Sequence, residues 1–290
     1  MGFLDLFKEI FTSKPAKVDL EKRFELRGKS GQGSMSRVHP AIDRKTGRMV
    51  CVKILDKHKT AEFEKRFEGL NKPSEGEICT SLYHENVVRT FEYGVTLQGE
   101  PFLVMEWIDG VGLNYLIENR SKALKGRRVS YLRQMAEGLI YIHGKKFLHR
   151  DICPRNFMVT KDHVIKYIDF GLTIPYKPEF CRPGNRTGTA DYLAPEVIKR
   201  VATDHRVDLF ALGVSAYELV TGNLPWERAR SQQTLLSHLN NPGRDPREFL
   251  PDLDNDTARF LIKAVERDPN RRFQTADQFR EALDHLPPDL

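Results

Sequence analysis

The sequence predicts an α+β chain in which a small antiparallel sheet comes first and a larger helical region follows. Three observations carry this expectation. Residues 22–106 are rich in short β-prone runs, interrupted by one charged helical stretch. From about residue 112 onward, apolar residues recur at helical spacing. Between the two, the apolar run 102–108 meets Asp109 and Gly110, which marks a join.

Bulk properties allow this architecture and exclude others. A chain of 290 residues can bury a large core, and 40% hydrophobic with 30% charged residues is ordinary for a globular protein. The net charge of +6 suits an acidic or phosphate-bearing partner. No basic block stands out, so a nucleic-acid partner is not expected. Cys51, Cys79, Cys153 and Cys181 show no C-x-x-C spacing and no paired histidines, which predicts reduced thiols, no zinc site and a cytoplasmic location. No apolar run approaches the roughly 20 residues that span a bilayer. Asp5, Lys8 and Glu9 interrupt the first apolar stretch, so no signal peptide is expected.

In chain order, residues 1–21 read as an N-terminal extension. Phe3, Leu4, Phe7, Ile10 and Phe11 share one helical face until Ser13, Lys14 and Pro15 end the pattern. Residues 1–12 fit a peripheral membrane or partner contact equally with a helix packed on its own domain, or a frayed tail. Leu6 stands where myristoylation at Gly2 requires Ser or Thr, so no lipid anchor is expected. Strands are predicted at 24–26, 37–41, 49–54, 87–93 and 102–106, with a helix over about 60–83. Helices are predicted at 128–145, 206–222, 256–267 and 275–285. Oligomeric state is not legible.

The chemistry concentrates in Leu148-His149-Arg150-Asp151-Ile152-Cys153-Pro154-Arg155-Asn156, followed by Asp169-Phe170-Gly171. Asp151 is a candidate general base, and Asn156 and Asp169 are candidate metal ligands with hard oxygens. Together they are the apparatus for moving a phosphoryl group from a magnesium-bound nucleotide to a hydroxyl. The H-R-D-x-x-x-x-N run with D-F-G at this distance resembles the protein-kinase superfamily. Gly188-Thr189-Ala190-Asp191-Tyr192-Leu193-Ala194-Pro195-Glu196 is similar to the G-T-x-x-Y-x-A-P-E segment of its Ser/Thr members. Asp208–Val214 and Asp268–Arg272 resemble the family's D-x-W-S-L-G-V and D-P-x-x-R elements.

The resemblance covers about residues 22–286. It implies a bilobal kinase fold, with an N-lobe over about 22–106 and a C-lobe over about 112–286. It also implies ATP with Mg²⁺ or Mn²⁺, protein substrates, and transfer to Ser or Thr hydroxyls in signalling. The style of 208–226 is similar to bacterial members. Gly31 and Gly33, with Val38 after them, stand for the glycine-rich loop, where backbone N–H groups approach phosphate. Met35 and Ser36 depart from that loop's pattern, which implies weaker clamping. Val50-Cys51-Val52-Lys53 resembles V-A-I-K, so Lys53 pairs with the α- and β-phosphates. A lysine in a strand is by default a solvated edge residue; its position after the glycine loop argues otherwise. Glu75 is the expected partner of Lys53, with Glu77 as the alternative. Glu106, at the join, is counted among the nucleotide contacts.

Two departures bear on the acceptor. Ser/Thr kinases place a lysine where this chain has Cys153. Arg155, where many receptor tyrosine kinases place arginine, is expected to supply the missing charge. Thr189 is expected to contact Asp151 and shape the acceptor pocket, which favours Ser/Thr over Tyr. Asp208 is expected to brace the H-R-D turn, and Arg272 to pair with Glu196. Thr173, Tyr176 and Thr187 lie on the loop whose phosphate could dock on Arg150, with Thr187 the first candidate. A catalytically silent, nucleotide-binding scaffold is the competing reading, supported by Cys153 and the altered glycine loop.

Overall fold

The structure is a computed structural model that describes residues 17–28, 31, 32, 35–184, 187–227, 232–288 and 290. The pattern at 1–12 and Gly33 lie outside the described residues. The chain divides into two compact units, one holding residues up to 65 with 89–107, the other 66–88 with 108–290.

The first unit is a sheet. Its strands are β1 (Lys17–Val18), β2 (Phe24–Leu26), β3 (Gly31–Gln32), β4 (Ser36–Asp43), β5 (Met49–Leu55), β6 (Thr90–Thr96) and β7 (Pro101–Glu106). They run in the order β1-β6-β7-β5-β4-β2, with β3 on β4. All pairs are antiparallel except β1 with β6. Period-two alternation sends Val50, Val52 and Ile54 of β5 to one face, where Phe24, Ala41, Phe102 and Val104 complete a core. The short helix α1 (Leu20–Arg23) is capped by Asp19 and follows β1. Arg23 ties it down by pairing with Asp43 and Glu92. Helix α2 (Lys57–Lys65) closes the unit, its first amides bonded to Asp56.

The second unit is mainly helical. It contains α3 (Glu75–Ser81), α4 (Leu113–Glu118), α5 (Arg128–Gly144), α6 (Pro195–Ile198), α7 (Arg206–Thr221), α8 (Gln232–Asn240), α9 (Asn255–Ala264) and α10 (Ala276–Ala282). Residues 207–221 of α7 are all buried, the polar Asp208, Ser215, Glu218 and Thr221 included. A Cβ on Gly213 would lie 2.3 Å from the Ala264 carbonyl oxygen, so only glycine lets α7 and α9 approach this closely. Gly222, at φ +71°, ends α7 in the left-handed conformation. Five short strands complete the unit. β8 (Gly110–Gly112), β10 (Phe157–Thr160) and β11 (Ile165–Tyr167) form one sheet, and β9 (Phe147–Leu148) pairs with β12 (Ile174–Pro175).

Two expectations need correction. The helix expected over 60–83 is two helices, because Gly69 and Asn71 adopt φ +80° and +49° between them. Pro73 supplies no amide, and Ser74 then caps a new helix. The strand expected at 87–93 begins only at Thr90. Val88 instead donates its amide to the Tyr167 carbonyl in the second unit.

Candidate active site

In the first unit, Lys53 lies on β5, between β7 and β4 in the interior of the sheet. It is 4% exposed, so the solvated-edge default does not apply. Its neighbours in register are Val38 on β4 and Leu103 on β7. Val38 also pairs with Gly31, so β3 and β4 bring the glycine loop's first strand beside the lysine's. Cys51 shares the Lys53 face, and burial pushes its thiol up to about 11, so it is neutral near pH 7. Glu106 ends β7 and accepts the Arg89 amide at 2.8 Å.

In the second unit, two short strand pairs assemble the candidate catalytic segment. Leu148 of β9 faces Ile174 of β12, which sets residues 149–156 alongside 169–173. The β10–β11 hairpin pairs Phe157 with Tyr167, and the Ile168 amide donates to the Asn156 carbonyl at 3.0 Å. Asn156 and Asp169 therefore leave the same end of one hairpin.

Asp208, at the start of α7, holds the turn. Its carboxylate accepts the His149 and Arg150 amides, both at 2.8 Å, and lies 2.9 Å from His143 Nε2. These bonds sustain Arg150 at φ +67°, a conformation that costs a non-glycine residue about 1–3 kcal/mol. Burial pushes the Asp208 carboxyl up, but the bonds from His143 and the Arg150 amide outweigh it and hold it below its usual range. His149 is fully buried against Tyr167 and Phe170, which pushes its pKa down and keeps it neutral. Its Nδ1 accepts the Asp151 amide at 3.3 Å, so Nε2 carries the proton and has no hydrogen-bond partner among the described residues.

Asp151 is surrounded by donors. Thr189 gives its amide at 2.8 Å and its hydroxyl at 2.7 Å, both to Oδ1. Asn156 Nδ2 donates to Oδ2 at 2.9 Å and to the Asp151 carbonyl at 2.7 Å. That arrangement leaves the Asn156 amide oxygen as an acceptor. Asp169 Oδ1 accepts the Gly171 amide at 3.0 Å. A Cβ on Gly171 would lie 3.3 Å from that oxygen and 3.4 Å from Glu75 Oε2, so Glu75 approaches the same glycine.

The two glutamates of α3 differ. Glu77 forms a capping box with Ser74, accepting its amide at 2.7 Å while Ser74 Oγ accepts the Glu77 amide. Glu75 is the first residue of the helix and takes no part in the box. Cys153 is 2% exposed and lies 3.8 Å from the Thr189 hydroxyl. Burial, then the Asp151 charge, pushes its thiol up to about 12, so it carries no charge near neutral pH. Arg155 is exposed in the turn that follows.

The scaffold pairs behave as expected. Arg272 makes two 2.7 Å bonds to Glu196, and Asp208 braces the turn. His143 was not foreseen: it sits at the end of α5, and its role depends on an aspartate 65 residues away. The loop candidates also separate. Thr173 is fully buried, its hydroxyl 3.4 Å from the His149 carbonyl. The Tyr176 hydroxyl bonds His205, whereas Thr187 is half-buried.

Comparisons with known proteins agree with this geometry. The chain is 32% identical over 273 residues to a probable serine/threonine-protein kinase of Clostridium perfringens, covering 93% of this chain and 39% of that protein. It is 30% identical over 280 residues to the serine/threonine-protein kinase PknB of Mycolicibacterium smegmatis, covering 91% and 43%. An Aurora kinase of Yarrowia lipolytica is 31% identical over 264 residues, covering 89% and 67%. The chain thus spans about two fifths of the length of these bacterial relatives. The family model described as protein kinase domain matches residues 24–286. That match covers most of the chain, and this chain belongs to the protein kinase family.

Proposed function

We propose that this chain transfers the γ-phosphate of ATP to Ser or Thr hydroxyls of protein substrates. The observation that carries the reading is the Thr189–Asp151–Asn156 network. Two donors fill Asp151 Oδ1, and one lone pair of Oδ2 stays open beyond the Asn156 bond. That lone pair orients the acceptor hydroxyl and receives its proton. As it does so, the hydroxyl oxygen bonds to the γ-phosphorus, and the bond to the β–γ bridging oxygen breaks. ADP leaves with that electron pair. Thr189, by fixing Oδ1, sets which oxygen acts as base.

The donor set fits Mg²⁺: a neutral amide oxygen on Asn156 and a carboxylate on Asp169 are hard ligands for a hard ion. Asn156 and Asp169 would hold the ion, which would neutralise phosphate charge when bound. Lys53, in the sheet interior, is assigned to the α- and β-phosphates. Glu75 is assigned as its carboxylate, since Glu77 is committed to the capping box. Gly31, Val38 and Glu106 are assigned to the nucleotide, as is Gly33, which lies outside the described residues. Arg155 supplies the positive charge that Cys153 cannot. Thr187 is the loop residue proposed for phosphorylation, with its phosphate docking on Arg150. Among the described residues, no helix is long and apolar enough to cross a membrane.

The test is transfer from γ-labelled ATP with Mg²⁺ to a basic protein acceptor, with labelled residues identified. Label on Ser or Thr that falls by about 10²-fold or more in Asp151→Asn is the expected result. ATP binding without transfer, unchanged by that substitution, would favour the scaffold reading.

A further inference from the structure

The loop from Gly188 to Pro195 carries Thr189, and its fixation is distributed over several elements. At one end, Thr189 bonds Asp151. Further on, the Tyr192 hydroxyl bonds the buried Glu218 of α7. Just past the other end, Glu196 is clamped by Arg272. Between these anchors lies the Leu193 carbonyl. No other donor among the described residues reaches it except His238 Nδ1, at 3.0 Å.

His238 belongs to α8 and is 1% exposed. Its ring packs 4.3 Å from Trp226, whose indole N–H is itself bonded to the Asn241 carbonyl at 3.0 Å. On another side it lies 6.1 Å from Phe210 of α7. A carbonyl can only accept, so Nδ1 must carry the proton, and the tautomer is fixed by the contact. Asp191, on the same loop, is the charged group that acts on it, while burial pushes its pKa down. A buried histidine is most often only a core residue. Here its polar contact falls on the loop that also holds the catalytic aspartate, 45 residues away.

We infer that His238 is a positioning residue for the protein acceptor: by holding the Leu193 carbonyl it fixes the 188–195 loop against which the acceptor segment lies. The inference rests on the kinase reading above. The helix that braces the catalytic turn through Asp208 also supports His238 through Phe210. The base and the acceptor loop are therefore referenced to one rigid element. Loss of the His238 contact loosens the loop and weakens acceptor binding, while nucleotide binding, which uses other residues, stays in place.

His238→Leu removes the donor and keeps an apolar side chain, and His238→Asn keeps a donor near the Nδ1 position. Hydrogen exchange of the 188–194 amides is measured first, because it does not require activity. Faster exchange there in His238→Leu, with wild-type protection in His238→Asn, is expected. Steady-state kinetics on an acceptor peptide follow. The acceptor KM should rise about five- to tenfold in His238→Leu, with the ATP KM within about twofold, and His238→Asn should restore it. Unchanged exchange in His238→Leu overturns the anchoring. An unchanged acceptor KM in an active enzyme, or equal rises in both KM values, overturns the role in acceptor binding. A wild-type chain that transfers no phosphate defeats the kinase reading instead, and the exchange result still decides whether His238 holds the loop.

Discussion

A neutral sulfur close to Asp151 bears on the electrostatics of the proposed site. The Cys153 thiol, pushed up to about 12, contributes no charge to a step that spreads negative charge over phosphate oxygens. On the proposed reading the positive charge comes from elsewhere, and Arg155 is the proposed source. Arg155→Ala should lower kcat by about 10²-fold or more, whereas Cys153→Ala should stay within about threefold. Steady-state kinetics decide it; equal, small effects of the two substitutions sink the assignment. Asp151, Asn156 and Asp169 are legible in the sequence because their spacing is fixed by one short turn and one hairpin. His143 and His238 are not, because each acts on a partner 65 or 45 residues away and no local pattern marks such a contact. Lys53 falls between these cases. Its motif is readable, but its burial follows from strand order, which the local residues do not encode.

At the scale of elements, punctuation residues outrank charge patterns. Helices expected at 128–145 and 206–222 appear at Arg128–Gly144 and Arg206–Thr221, because long apolar periodicity and Gly222 delimit them. The expected 60–83 helix breaks where Gly69, Asn71, Pro73 and Ser74 stand, all visible in the sequence but outweighed there by the surrounding charges. The strands of the second unit are two to four residues long, too short for a period to register. The Glu196–Arg272 clamp links the end of the acceptor loop to the segment after α9. Arg272 is 3% exposed, so removing it strands a carboxylate with little access to water. Arg272→Met should cost about 3–5 kcal/mol, and adding Glu196→Gln should recover part of that loss. Urea unfolding of the three proteins checks this; a single-substitution loss below about 1 kcal/mol contradicts it.

For the whole molecule, histidines that lose water on folding, two of them fully buried, bear on the response to acid. Burial pushes His39, His84, His149 and His238 below the ordinary value of 6.5. In each case the unfolded chain binds a proton more readily than the folded one. Stability from these groups is therefore complete above about pH 6.5 and is lost as pH falls through that value toward the lower folded pKa values. A second loss follows at lower pH. Asp208, held below 3.8 by its bonds despite burial, and Asp245, held at about 2 by Arg247, must then protonate. The urea midpoint should fall between pH 7.5 and 5.5, and His238→Asn should flatten part of that slope. A midpoint that stays level or rises over this range contradicts the assignment.

The strand β1 carries a practical consequence for any trimmed form of this protein. The family match begins at Phe24, yet Lys17 and Val18 pair with Val95 and Thr96, and Leu97 donates its amide to the Val18 carbonyl. Cutting at the start of the match removes Arg23, which bridges Asp43 and Glu92, along with the only cover on the outer side of β6 among the described residues. The uncovered backbone becomes a template on which another chain can add a strand. A homology-defined boundary would thus turn a self-contained sheet into a sticky one, and aggregation of the shortened protein would reflect where it was cut rather than how well the kinase fold holds together.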